Sequence, residues 1–142
     1  MAQRSDEGSQ TPRRTWAVKF YRFTDGSQPA DEFIDAQPAR AQAMIDNYVG
    51  RLVLFGPSLP FPSSSQVEGD LRELRPDMGR THYRLLYRRS DDLFIILHAF
   101  IKRGGLIDQA EIDVANTRWQ DFRDRMDADP RRPPSPIGRT AR

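Results

Sequence analysis

Residues 72–103 carry eight basic side chains, Arg72, Arg75, Arg80, Arg84, Arg88, Arg89, Lys102 and Arg103, against four acids, Glu73, Asp77, Asp91 and Asp92. A cluster of this kind is suited to a polyanion: the planar guanidinium grips two phosphate oxygens at once, and several cations on a rigid scaffold can stabilise the extra negative charge of a pentavalent phosphorus. Among them stand His82, Tyr83 and Tyr87, residue types that stack on unpaired bases or move a proton. The same arginines on an exposed strand can equally be solvated face residues paired with Glu73, Asp91 or Asp92, and the sequence leaves both roles open. His98, inside an apolar run, reads as a hydrogen-bonded sheet residue. Two histidines, no cysteine and no paired-histidine spacing give no zinc signal, and no carboxylate grouping suggests magnesium. Phosphate loop, dinucleotide fingerprint and nucleophile elbow are all missing. Metal-free chemistry is therefore expected.

Such a cluster works only if the backbone gathers it. Residues 81–89 (THYRLLYRR) alternate, sending Tyr83, Leu85 and Tyr87 one way and His82, Arg84, Leu86 and Arg88 the other. Short turns at 76–79 and 90–92 join this strand to neighbours at 70–75 and 93–102, so an antiparallel meander is the simplest topology. Arg72 and Lys102 then reach the cationic side if the registers allow. The unbroken apolar run LFIILHAFIK (93–102) implies a strand covered on both faces or central in its sheet.

Upstream, WAVKFYRF (16–23) reads as a strand, 29–37 as a short helix, and 38–55 as a longer helix with Ala41, Met44, Ile45, Tyr48, Leu52 and Phe55 on one face. GPSLPFPSSSQ (56–66) reads as an irregular loop. A last helix spans about 109–126, with Ile112, Ala115, Trp119, Phe122 and Met126 as its apolar stripe, which marks Trp119 and Phe122 as core residues. The order β-α-α-β-β-β-α predicts an α+β domain, a mostly antiparallel twisted sheet with helices packed on one face.

Residues 1–14 and 127–142 hold almost no large apolar side chains and are expected to be disordered tails flanking one domain at 15–126. The first tail contributes a charge of +1 and the second +2, so of the net +2 the core keeps −1, and residues 72–103 form a local basic field in a near-neutral domain. With no signal-like run, no stretch of membrane-spanning length and no cysteine, a cytoplasmic protein that does not enter membranes is expected.

Three segments in order carry a resemblance: VEGDLRELR (67–75), HYRLLY (82–87) and LHAFIKR (97–103), followed by the helical AEIDVA (110–115). Across about residues 16–126 the chain resembles the phage-derived, HigB-type branch of the RelE/ParE toxin superfamily. The resemblance implies a small RelE-like fold and a toxin of a type II toxin–antitoxin system. It implies a protein that enters the ribosome and cuts mRNA through the RNA's own 2′-hydroxyl, needs no cofactor, and is neutralised by a cognate antitoxin, often of helix-turn-helix type. On matching positions it makes Arg72, Arg84 and Lys102, with His82 and Tyr83, the catalytic candidates. Arg75, Arg80, Arg88 and Arg103 become candidates for RNA phosphate binding. Where similar toxins continue with further lysines and Thr-Pro, this chain reads Gly104-Gly105-Leu106-Ile107-Asp108. A gyrase poison of the same fold and a non-catalytic toxin-like binding module are the alternative functions.

Overall fold

The computed structural model describes residues 15–128 and 135–140. In chain order the elements are β1 (Ala17–Tyr21), α1 (Pro29–Asp35), α2 (Ala39–Phe55), β2 (Ser64–Glu68), β3 (Leu71–Leu74), β4 (Asp77–Met78), β5 (Thr81–Ser90), β6 (Leu93–Lys102), α3 (Gln109–Ala128) and β7 (Ile137–Thr140). The seven strands make one sheet in the order β2-β3-β5-β6-β1-β7, with β4 also against β5. Every pairing is antiparallel except β1 with β6. The α+β class and the meander of β3, β5 and β6 are as the sequence predicts. Among the described residues no helix is long and apolar enough to cross a membrane.

The helices divide between the two faces of the sheet, where packing on one face was expected. Val18, Tyr83, Leu85, Tyr87, Phe94 and Ile96 pack with Ile34 of α1 and Ile45, Val49 and Leu52 of α2. Tyr21, Leu71, Leu86, Ile95, Leu97 and Phe100 pack with Ile112, Ala115, Trp119 and Phe122 of α3. Because neighbouring strand residues point to opposite sides, the continuous apolar run of β6 needs a cover on both. α3 supplies the second cover.

Two segments differ from their sequence reading. Residues 64–66, the end of the expected loop, form with 67–68 the edge strand β2 on β3. The polar character of that strand suits an edge, and its one buried residue, Ser64, is satisfied by the Tyr87 hydroxyl at 2.6 Å. In the C-terminal segment expected to be disordered, residues 127–128 extend α3 and Ile137–Thr140 add β7 to β1. Ile137 supplies the apolar anchor against the α3-side core, and Arg22 N–H donates to the Pro136 carbonyl at 2.9 Å. The remaining tail residues, 1–14, 129–134 and 141–142, lie outside the described residues.

Gly56 closes α2 with φ +52, and a Cβ there would collide with the Trp16 indole. Only glycine allows the helix end to sit so close to the start of β1.

If α3 is an integral cover and not an appendage, Phe122→Ala, removing a 1% exposed side chain, should cost about 3–5 kcal/mol in denaturant unfolding. A loss below about 1 kcal/mol would place α3 outside the cooperative core.

Candidate functional site

The registers decide which cations meet. On β5, His82, Arg84, Leu86 and Arg88 face the α3 side, as the alternation predicts, and His82 lies directly across from Lys102 of β6. Direct cross-strand partners have Cβ atoms about 4.5–5.5 Å apart. Arg72, however, pairs with Tyr87, so it faces the α1/α2 side, and Glu73 pairs with Leu86 on the α3 side. One residue of register moves a side chain to the other face, and here it moves Arg72 away from Arg84 and Lys102. The three-cation clamp expected from the sequence is not formed. Tyr83 is also removed from it: the ring is 3% exposed in the α1/α2-side core, edge-on to Phe33.

Arg84 has a structural place. It is 2% exposed, and Nη1 donates to Asp77 Oδ1 at 2.8 Å and to its neighbour's carbonyl, Tyr83 O, at 2.7 Å. Its Nε lies 3.4 Å from Glu73 Oε1, close enough for charge attraction, though neither atom makes a hydrogen bond there. The other oxygen of Glu73 accepts from Ser65 and, at 2.9 Å, from Arg75 Nη1. A buried guanidinium needs such partners, since removing a charge from water without compensation costs several kcal/mol. The strand pattern contained the clue: Leu71 and Glu73 share a face, so a buried Leu71 implies a buried Glu73.

Asp77 joins Arg84 to the accessible residues. Its Oδ1 also meets His82 Nδ1 at 3.0 Å, and both side chains are nearly half exposed. Partial burial pushes the Asp77 carboxyl up, but hydrogen bonds from Arg84 and His82 outweigh it and hold the group below its ordinary range. A carboxylate accepts only, so Nδ1 carries a proton, and in the neutral ring Nε2 is then the acceptor. The sequence placed Asp77 in a turn; its pairing with His82 through β4 and β5 could not be read without the register.

Beside this pair, Lys102, Arg75 and Glu73 line a groove of about 310 Å³ together with Val67, Leu106 and Ile112. Lys102 Nζ donates to the carbonyls of Gly104 and Gly105 at 3.1 and 2.7 Å, which leaves one of its three donors. The Gly104–Asp108 loop thus orients the lysine. Arg75 stacks over Phe61 at 5.1 Å. Arg103 borders a neighbouring hollow with Lys102, Asp108 and Glu111, and Arg80 is exposed in the turn before β5. Arg88 lies at the opposite end of β5, over Trp119 of α3 at 4.5 Å. Arg75, His82, Arg84 and Lys102 are therefore gathered at one end of the α3 side of the sheet, whereas Arg88 lies at the other end of that side and Arg72 and Tyr83 face the opposite side.

His98 is the hydrogen-bonded sheet residue that the sequence suggests. β6 bulges at Leu97, between the pairs Leu86–His98 and Tyr87–Ile96, so Leu97 and His98 both reach the α3 side. Arg118, which can only donate, meets Nδ1 at 3.3 Å, so Nε2 carries the proton given to Glu111 Oε1 at 2.8 Å. Burial pulls the imidazole below its ordinary value, and the Arg118 charge adds to this against the opposing Glu111.

A model of the family described as "Phage derived protein Gp49-like (DUF891)" matches residues 32–120, from α1 to α3, and so spans the groove and its supporting network. No curated protein matches the chain.

Two outcomes follow. Arg84→Ala, which strands buried Glu73, should lower stability by about 3–5 kcal/mol, whereas the pair Glu73→Gln with Arg84→Met should cost less than Arg84→Ala alone in the same denaturant titration. The depressed His98 makes the unfolded chain the better proton acceptor. Stability is then complete above the unfolded value near 6.5 and falls as pH drops below it toward the folded value. Urea midpoints measured from about pH 7.5 to 5 should fall less steeply in His98→Gln than in the parent.

Proposed function

Since the chain belongs to the phage-derived Gp49-like family, a toxin-like family of the RelE kind, we propose that it is the toxin of a toxin–antitoxin pair and cuts RNA at the Lys102 groove without a metal. The observation that carries this reading is His82, held by Asp77, directly across from Lys102 on the adjacent strand. Asp77 fixes the imidazole with Nε2 free to take the proton of a 2′-hydroxyl. The 2′-oxygen then attacks the adjacent phosphorus, and the bond to the 5′-oxygen breaks as that oxygen takes a proton from solvent. Lys102 and Arg75 neutralise the charge that builds on the non-bridging oxygens. Arg84 acts through others, holding Asp77 and Glu73 in place. This is a smaller centre than the one the family resemblance implies, without Arg72 or Tyr83. The ribosome as the setting in which mRNA is presented, and a cognate helix-turn-helix antitoxin as the neutralising partner, belong to the same proposal.

A second reading is favoured by the burial of Arg84 between two carboxylates and by the separation of Arg72. With only Lys102 and Arg75 of the basic candidates lining the groove, the domain would bind RNA or a partner and leave the strand whole.

Induced expression with mapping of mRNA ends separates the two. Cutting predicts new 5′ ends in a translating extract, with His82→Asn and Lys102→Gln each lowering their yield by about 10²-fold and relieving growth arrest. Growth arrest without new ends would remove the nuclease reading, and trapped cleaved DNA would point to gyrase instead.

A further inference from the structure

At the other end of β5 from the groove, four arginines meet in a second and larger hollow. A cleft of about 640 Å³ is lined by Arg72, Arg88, Arg89 and Arg123 together with Tyr87 and Trp119. Asp70 is the one carboxylate in that lining; it is 85% exposed and lies 3.6 Å from Arg88. The cleft exists because β3 pairs with β5 only as far as Tyr87, and β4 only near Thr81 and His82. Beyond Tyr87 no described strand flanks this edge of β5, so the hollow passes around the sheet from the Arg72 side to the Arg88 side.

The guanidiniums are presented rather than consumed. Arg88 and Arg123 both lie over the Trp119 ring, at 4.5 and 5.9 Å. Arg89 stacks over Trp16 at 5.0 Å and gives Nε to the Asp91 carbonyl. Arg72 gives Nε to Ser64 Oγ at 3.2 Å. A stacked guanidinium uses its face, which leaves in-plane N–H groups to grip phosphate oxygens in pairs. Two cations gathered over one indole repel each other, and an anion between them relieves that repulsion. A flexible strand with charges at regular intervals can reach arginines on both sides of a sheet edge, which a single acidic side chain cannot.

We propose that this arginine cleft is a second binding site, taking the phosphate backbone of single-stranded RNA at a distance from the cutting groove. It deepens the RNA reading given above and rests on it. Arg88 stands six residues along β5 from His82, about 20 Å at strand rise, and both face the α3 side. A strand running from one site to the other would be held at both ends, so the cleft fixes how RNA lies relative to Lys102 and favours substrates long enough to span the two.

Equilibrium binding of labelled single-stranded RNA to the full chain tests this, using one oligonucleotide too short to span both sites and one long enough. The long RNA should bind more tightly than the short one. Arg88→Gln with Arg123→Gln should weaken the long RNA by about tenfold per arginine and lower the magnitude of its salt slope by about 0.7 per lost contact. Should that pair fail to fold, Arg72→Gln with Arg89→Gln, on the other side of the cleft, should give the same signature. Unchanged affinity and slope in a folded variant would overturn the proposal even if the parent cuts RNA. Loss of binding to polyglutamate with RNA affinity intact would also overturn it, and assign the cleft to an acidic protein segment. Conversely, a parent that leaves RNA whole yet binds the long strand through Arg88 and Arg123 would defeat the cutting reading and uphold the cleft.

Discussion

Along β6, Phe94, Ile95, Ile96 and Leu97 are each at most 2% exposed although they point to alternate sides of the sheet. A strand of this composition can show neither face to water. Burying one such side chain is worth about 1.5–3 kcal/mol, so the chain gains most when both faces are covered, and α1 with α2 takes one while α3 takes the other. The same double cover reaches β5, where Leu85 and Leu86 are both fully buried. Any polar residue on this hairpin must then find a partner inside the protein. Arg84 does so with Glu73 and Asp77, and His98 with Glu111 and Arg118.

The groove is a result of that packing. Because Arg84 is held by two carboxylates, its charge is largely offset, and the cationic character of the surface passes to residues at the ends of the strands. Lys102 closes β6, Arg75 follows β3, and His82 lies near the start of β5. Each is positioned by something other than the ligand: glycine carbonyls for the lysine, Glu73 and Phe61 for the arginine, Asp77 for the histidine. Groups held in this way need little reorganisation when charge develops nearby. The far end of β5 repeats the principle with aromatic supports, Trp119 and Trp16, in place of carboxylates.

Much of the fold was legible in the sequence because periodicity is a local signal. The alternation of THYRLLYRR assigned the two faces of β5 correctly, and the spacing of Ile112, Ala115, Trp119 and Phe122 gave the buried face of α3. Register and side of packing are not local. Nothing in residues 70–75 alone states that Arg72 lies opposite Tyr87, and that pairing dismantled the expected clamp. The stripe of α3 shows that the helix has a buried face but not which face of the sheet it meets. Edge strands β2 and β7 escaped notice for another reason: a strand paired on one side needs few apolar residues, and backbone hydrogen bonds leave little trace in composition.

The parallel pairing of β1 with β6 joins Ala17 to Leu93 and Phe20 to Ile96, so two neighbouring strands of the sheet come from distant parts of the chain. Contacts of this kind require a long loop to be closed before they repay any of its entropy. The hairpin of β5 and β6 has no such delay, since only Asp91 and Asp92 separate its arms. During synthesis β1 emerges well before its partner β6. An apolar strand whose partner lies so far along the chain has no sheet edge to join until the β5–β6 hairpin is available, so its shelter depends on a part of the chain remote from it.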